Sequence, residues 1–285
     1  MTTFAVTGAT GHLGRLAVTT LLDRGVPAGD VVAVVRDSDK AQSLAAQGVQ
    51  VRVADYTRPD TLVPALAGVD RLLLVSSNAV GQREAHHRNA IEAAKAAGVQ
   101  RIVYTSLLHA DTSTTPLGVE HRATEQMLRE SGLASVVLRN GWYVENYTDQ
   151  LPQYLAAGAI IGAAGDARVA AAPRSDYAAA AAAALLDDTA ESAVYELGGP
   201  AFSLPDLAAA LSEVGGHELP YRDVSLEDFR AGLLAAGLDA GTADFVTALE
   251  NGTARGELDV DTTDLEHLLG RPATDLRTAL KNLLG

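Results

Sequence analysis

The chain is 285 residues long, 47% hydrophobic and 20% charged, enough to bury one large core or two modest ones. It has no cysteine, which excludes disulfides, thiol nucleophiles, zinc–thiolate sites and iron–sulfur clusters. A formal charge of −14 argues against direct contact with nucleic acid. With no apolar run approaching the roughly 18 residues of a membrane span and no secretory leader pattern, a cytoplasmic protein is expected.

Thr3 to Thr7 reads as a first strand, followed by the loop Gly8-Ala9-Thr10-Gly11-His12-Leu13-Gly14 and a helix from about Arg15. Beyond it, Gly-Val or Gly-Leu recurs at Gly25, Gly48, Gly68, Gly98 and Gly132, each time between an alanine- and leucine-rich stretch and a β-branched run. Glycine there suits the left-handed residue that ends a helix. The runs VVAVV, VQVRVA, DRLLLVSS, RIVYTSLL and ASVVLRN are short and apolar on both faces, as expected of parallel strands covered by helices on each side. Strand and helix alternate, so the predicted fold is α/β, a doubly wound parallel Rossmann sheet with right-handed crossovers.

After Asn140 the rhythm changes. A helix is expected near Glu145, irregular glycine-rich sequence through Gly165, an alanine-rich helix from about Asp176 to Leu186 and a strand over Ala193–Leu197. From Ser203 amphipathic helical segments such as LPDLAAALSEVG and LEDFRAGLLAAG dominate. The expected division is a Rossmann domain of residues 1–141 with 176–199, and a smaller, mostly helical substrate-side lobe of 142–175 with 200–285. The two are expected to pack with a cleft between them.

Three glycines between a strand and a helix, at the start of a βαβ unit, point to a phosphate-bearing ligand. Glycine permits the tight turn and lets a pyrophosphate approach the backbone, and the helix N-terminus offers free N–H groups to it. No Gly-Lys-Ser/Thr closes the motif, so it is not a P-loop. The second strand ends in Arg36-Asp37. An arginine there suits a bidentate grip on a 2′-phosphate and favours NADP(H), whereas a solvated Arg36 with Asp37 on the ribose is the alternative. Asp55 either accepts from the adenine amino group or caps a turn before Pro59. Ser76 and Ser77, closing the fourth strand, are placed under the cofactor.

The glycine loop resembles that of short-chain dehydrogenases, which usually carry Tyr-x-x-x-Lys as an acid–base pair. Four residues after the eight tyrosines stand Asp60, Leu108, Tyr147, Leu151, Gly158, Ala181, Gly199 and Ser225, so the pair is absent. His86 and His87 are adjacent on one helix and cannot converge on a metal. His121 has Glu120 beside it but no companion at ligand spacing, and no metal site is expected.

The stretches VTGATGHLG, VRDSDKA, DRLLLVSS, GQREAHHRNAIEAAKAAGV, RIVYTSLLHAD, EHRATE and LRNGWYVENY together resemble the NmrA-like atypical short-chain dehydrogenases. Within them the likeness is to the bacterial NAD(P)H:quinone oxidoreductase (type 2) group and next to the triphenylmethane-dye reductases. The resemblance covers essentially the whole chain. It implies NADPH as cofactor and a quinone-like acceptor. Gly8, Thr10, Gly11, His12, Leu13 and Arg36 would hold the adenosine and phosphates. Ser76, Ser77 and Trp142-Tyr143-Val144-Glu145-Asn146 would flank the nicotinamide. His121 stands where some members have a lysine; His121, Tyr143 and His109 are the candidate proton donors. A quinone or cationic dye accepts hydride without a tuned base, so positioning alone can suffice. Two alternatives stay open. One is a non-catalytic NADP(H)-sensing regulator, and the other is a tailoring enzyme for a polycyclic quinone. The expected partner is a small aromatic or quinone substrate, without nucleic acid or membrane, and a homodimer is left open.

Overall fold

In the computed structural model, which describes residues 1–188 and 191–285, β1 (Phe4–Thr7) leads into α1 (His12–Asp23) and then β2 (Val31–Val35). There follow α2 (Gln42–Ala45), β3 (Gln50–Val53), α3 (Pro59–Ala65), β4 (Arg71–Leu74), α4 (Arg83–Ala97), β5 (Arg101–Leu107), α5 (Pro116–Ser131) and β6 (Ala134–Asn140). Next come α6 (Glu145–Thr148), α7 (Leu151–Ala157), β7 (Ile160–Gly162), β8 (Arg168–Val169), α8 (Arg174–Leu186), β9 (Ala193–Leu197) and β10 (Phe202–Ser203). The chain closes with α9 (Leu204–Gly215), β11 (Tyr221–Asp223), α10 (Leu226–Ala235), α11 (Ala240–Ala254), α12 (Thr263–Leu269) and α13 (Leu276–Leu284).

Seven strands form one sheet in the order β3-β2-β1-β4-β5-β6-β9, the doubly wound α/β arrangement that the alternation predicts. Phe4 pairs in parallel with Val31 on one side and with Arg71 on the other. The chain therefore reverses its direction of winding at β1, and in open α/β sheets ligands bind at the carboxyl ends of the strands flanking that point. Every residue of β1 and β2 is buried, which explains why both read as unbroken apolar runs. At the sheet edge β3 departs from the expectation that both faces are covered: none of its residues is fully buried and Val53 is 56% exposed. The five glycines that precede strands all have φ between +72° and +88°, so each ends its helical stretch in the left-handed conformation.

Two compact units make up the chain. The first is Met1–Leu107, Glu120–Arg139 and Arg174–Tyr195; the second is Leu108–Val119, Asn140–Pro173 and Glu196–Gly285. In the first, α1 packs on α8, whose buried residues are mostly alanine and small enough for close approach. A second layer on this unit joins Val32, Leu72, Ile102, Tyr104, Ile91 and Leu128. The core of the second unit is built from Val144, Ile160, Phe202, Leu207, Leu211 and Leu280.

Two local expectations are corrected. Helix α1 begins at His12, not near Arg15, because Gly11 in extended conformation (φ −77°, ψ 169°) ends the turn early and places Leu13 and Gly14 in the first helical turn. The stretch expected to be irregular up to Gly165 contains α7 and β7, and β7 pairs in parallel with the distant β11, Tyr221 opposite Ile160. Among the described residues no helix is long and apolar enough to cross a membrane.

Candidate active site

The β1–α1 turn is compact because its glycines let backbone meet backbone. Gly8 has φ +59°, and the Gly11 N–H donates to the Gly8 carbonyl at 2.8 Å. A Cβ added at Gly14 would lie 2.4 Å from the Gly8 oxygen, so the third glycine is fixed by the approach of helix to loop. No side chain caps α1 and no acidic residue stands in its first turn, which leaves the amides of His12, Leu13 and Gly14 without an intrahelical acceptor. Gly8, Gly11 and His12 are exposed, Thr10 is half-buried, and Leu13 anchors the turn in the core.

Arg36 follows β2 and is exposed. Its two acidic neighbours are committed elsewhere. Asp37 Oδ1 accepts the Asp39 N–H at 2.9 Å, and Asp55 Oδ1 accepts both the N–H and the hydroxyl of Thr57 at 2.8 Å. Those two bonds, with a smaller contribution from Arg36, hold the Asp55 carboxyl below its ordinary range. Arg15 was not anticipated as part of the site. Its guanidinium reaches Ser43 Oγ (2.9 Å) and the Lys40 carbonyl (3.1 Å), tying α1 to the segment that follows Arg36.

Beyond β4 the chain is held by side chains instead of a strand ladder. Val75 N–H donates to Thr7 Oγ1 (3.0 Å), Ser76 N–H to Thr105 Oγ1 (2.8 Å) and Ser77 N–H to His87 Nε2 (2.9 Å). Because Nε2 of His87 accepts, its ring proton sits on Nδ1 and donates to Thr124 Oγ1 at 2.9 Å. Thr124 in turn donates to the Glu120 carbonyl at 3.1 Å. Burial, reinforced by Arg83 and His86, pushes the His87 pKa down to about 3, so the ring is neutral. His121 is 5% exposed, with Nδ1 2.6 Å from the Tyr104 hydroxyl, and burial holds its pKa well below the ordinary histidine value. The candidate proton donor of the EHRATE stretch is thus an interior, neutral group.

In the second unit, Trp142, Tyr143 and Asn146 are half-buried around the turn that leads into α6. Tyr143 bridges in parallel to Ala172, and its hydroxyl accepts from Asn140 Nδ2 at 3.4 Å. His109 is the only non-glycine residue with positive φ (51°) among the described residues. Its N–H donates to Glu196 Oε2 (3.0 Å) and its Nε2 donates to the Asp259 carbonyl (3.1 Å), which fixes the loop after β5.

A family model for NAD(P)H-binding proteins matches residues 8–188. Quinone oxidoreductase 2 of Escherichia coli (strain K12) is 49% identical over 280 residues, 98% of each chain. The crystal structure of the Escherichia coli NADPH-dependent quinone oxidoreductase complexed with NADPH superposes with a TM-score of 0.94, covering 99% of this chain and all of the other at 48% identity. An NmrA-like family domain-containing oxidoreductase of Aspergillus flavus is 30% identical over 99% of this chain and 94% of its own. The triphenylmethane reductase of Citrobacter sp., complexed with NADP(H), gives a TM-score of 0.92 at 36% identity, over 99% of this chain and all of the other. The chain belongs to the NAD(P)H-binding, NmrA-like family. As an NAD(P)H-binding member, it offers a cradle that fits the cofactor. The glycine turn leaves no room for a Cβ at Gly14, the first amides of α1 carry no side-chain cap, and Arg36 stands beside carboxylates already tied to their own turns.

Sequence reading missed the group that holds Ser77. Arg83, His86 and His87 occupy positions i, i+3 and i+4 of α4, one face of the helix, and that spacing was the available signal. Asp55 shows the turn-capping geometry weighed as its alternative role.

Proposed function

We propose that this protein is an NADPH-dependent reductase that delivers hydride to a quinone or a similarly conjugated aromatic acceptor. The observation that carries the reading is the glycine cradle followed by an exposed Arg36, in a chain similar over nearly its full length to a quinone oxidoreductase. The pyrophosphate takes the amides at the start of α1, and Arg36 takes the 2′-phosphate. Ser76 and Ser77 form the floor on the nicotinamide side. When bound, the dihydronicotinamide supplies the hydride. A quinone that accepts hydride becomes a phenolate whose charge is spread over its ring, and a cationic dye becomes a neutral leuco compound. Neither requires the Tyr-x-x-x-Lys pair that this sequence lacks. Of the candidate proton donors, Tyr143 is half-buried whereas His121 is enclosed with its Nδ1 engaged by Tyr104, so Tyr143 is the residue to substitute first. A cysteine-free chain suits the cytoplasm, where we place it, acting on a diffusible acceptor.

The test mixes protein and NADPH with 1,4-benzoquinone, 1,4-naphthoquinone, a polycyclic quinone and a cationic triphenylmethane dye, following the nicotinamide absorbance. Protein-dependent oxidation that saturates with a simple quinone is expected. Tight NADPH binding without oxidation by any acceptor supports the second reading, an NADP(H) sensor, which the missing acid–base pair favours. Turnover confined to the polycyclic quinone points to a tailoring enzyme.

A further inference from the structure

Every polar group of Ser77 is engaged by one face of α4. Its N–H donates to His87 Nε2 (2.9 Å), its Oγ lies 3.0 Å from His86 Nδ1, and its carbonyl accepts from Arg83 Nε (2.8 Å). All three partners are buried. The Glu120 carboxylate pairs with the Arg83 guanidinium and also accepts the Gly81 N–H at 2.7 Å, so the loop from Ser77 to Gly81 is fixed at both ends. The His87 ring is itself locked: Thr124 accepts its Nδ1–H and donates onward to the Glu120 carbonyl, which leaves only Nε2 to accept. A solvated loop needs none of this, and burying an arginine and two histidines to hold one serine is costly unless that serine must stay in place.

We propose that His87, in the tautomer set by Thr124, is a positioning residue for hydride transfer: with Arg83 and His86 it clamps the Ser77 peptide so that the nicotinamide-side floor keeps one geometry. This rests on the reading that Ser76 and Ser77 lie on the nicotinamide side. Losing the clamp leaves the adenosine half of the site, built on Gly8–Gly14 and Arg36, untouched. It lets the floor drift, and a misplacement of about 1 Å costs up to about a hundredfold in rate.

The experiment compares wild type with His87→Phe, which keeps a planar aromatic ring, somewhat larger, and loses both hydrogen bonds, and with His87→Gln, whose amide oxygen reaches the Nε2 position and accepts the Ser77 N–H. Single-turnover oxidation of bound NADPH by 1,4-naphthoquinone reports hydride transfer. Calorimetry with adenosine 2′,5′-bisphosphate reports the adenosine side and folding. His87→Phe is expected to transfer hydride about tenfold to a hundredfold more slowly with bisphosphate affinity within about twofold of wild type, and His87→Gln to recover most of the rate. Wild-type transfer rates in a folded His87→Phe overturn the clamp. Should that variant fail to bind the bisphosphate, Thr124→Val, which frees the ring to change tautomer, takes its place, and an unaltered rate there overturns it equally. A separate arm tests the underlying reading: NADP⁺, and not the bisphosphate, must shift the amide resonances of Ser76 and Ser77 in the wild-type protein. If those resonances stay fixed while His87→Phe still slows transfer, the floor assignment fails and the effect of His87 must reach the site by another route.

Discussion

Lowering the pH from 7.5 to 5 is expected to destabilise the protein through His87. In the native state the ring accepts one hydrogen bond and donates another inside a buried network, and its pKa falls from 6.5 to about 3. The groups that face it are Arg83 and His86 on its own helix, the Tyr104 ring at 5.3 Å on β5, the Tyr56 ring at 6.3 Å, and Thr124 on α5; the positive charge of Arg83 opposes protonation further. The folded pKa is depressed. Its contribution is therefore complete above the unfolded value of 6.5 and declines as the pH falls below it, because the unfolded chain binds a proton that the native chain refuses. Between pH 7.5 and 5 this amounts to about 2 kcal/mol, and the decline levels off only near pH 3, where the native ring also protonates. The assay is urea unfolding at 25 °C at several pH values for wild type and His87→Gln, whose amide does not titrate. Histidine and carboxylate effects elsewhere are common to both proteins, so the variant should lose about 2 kcal/mol less over that interval. Parallel stability–pH curves for the two proteins refute a neutral, buried His87.

Three further outcomes follow from the geometry. Gly14→Ala puts a methyl group 2.4 Å from the Gly8 carbonyl oxygen, so it should cost about 1–3 kcal/mol in urea unfolding and weaken NADPH binding, and an unchanged affinity by fluorescence titration counts against the cradle. Arg36→Glu should weaken NADPH at least about tenfold and leave NADH within about threefold; equal losses refute the phosphate role. Glu125, 1% exposed, holds Arg139 through Oε1 (3.0 Å) and Oε2 (2.8 Å) and accepts from Ser106 Oγ (2.7 Å). Glu125→Ala strips a buried guanidinium of its bidentate partner and should cost about 3–5 kcal/mol, so a loss under about 1 kcal/mol measured by urea unfolding contradicts that role.

What the sequence disclosed was local. The β-branched runs and the glycines at left-handed positions are each decided within a few residues, and the structure has them where the pattern put them. What it concealed was pairing over distance. β7 is three residues long and exists because β11 lies beside it, and nothing near Ile160 announces Tyr221. The exposure of β3 follows from its place at the sheet edge, which the run VQVRVA does not state. Around the candidate site, the tight turn of the glycine loop was legible because its geometry is carried by a few consecutive residues. The Ser77 clamp was not: its members Arg83, His86 and His87 share a helix face, but their target stands in the preceding loop and their supports, Glu120 and Thr124, on α5.

The histidines change how the missing Tyr-x-x-x-Lys pair is understood. A chain without that pair invites a search for a substitute acid, and His121 is one candidate. Yet burial holds His121 and His87 neutral; His87 spends both ring nitrogens on interior partners, and Nδ1 of His121 lies against the buried Tyr104 hydroxyl. The stretches REAHH and EHRATE, which carry the family resemblance, meet in the fold as two halves of one hydrogen-bonded network whose endpoint is the backbone of Ser77. Proton transfer with a histidine of ordinary pKa contributes through matching that pKa to the working pH, and a ring held to about 3 forfeits the match. A fixed backbone contributes through geometry, which needs no proton at all. An acceptor that takes hydride into a delocalised ring needs geometry more than it needs an acid, so the replacement of an acid–base pair by an interior clamp and the choice of a quinone-like acceptor are two consequences of the same chemistry.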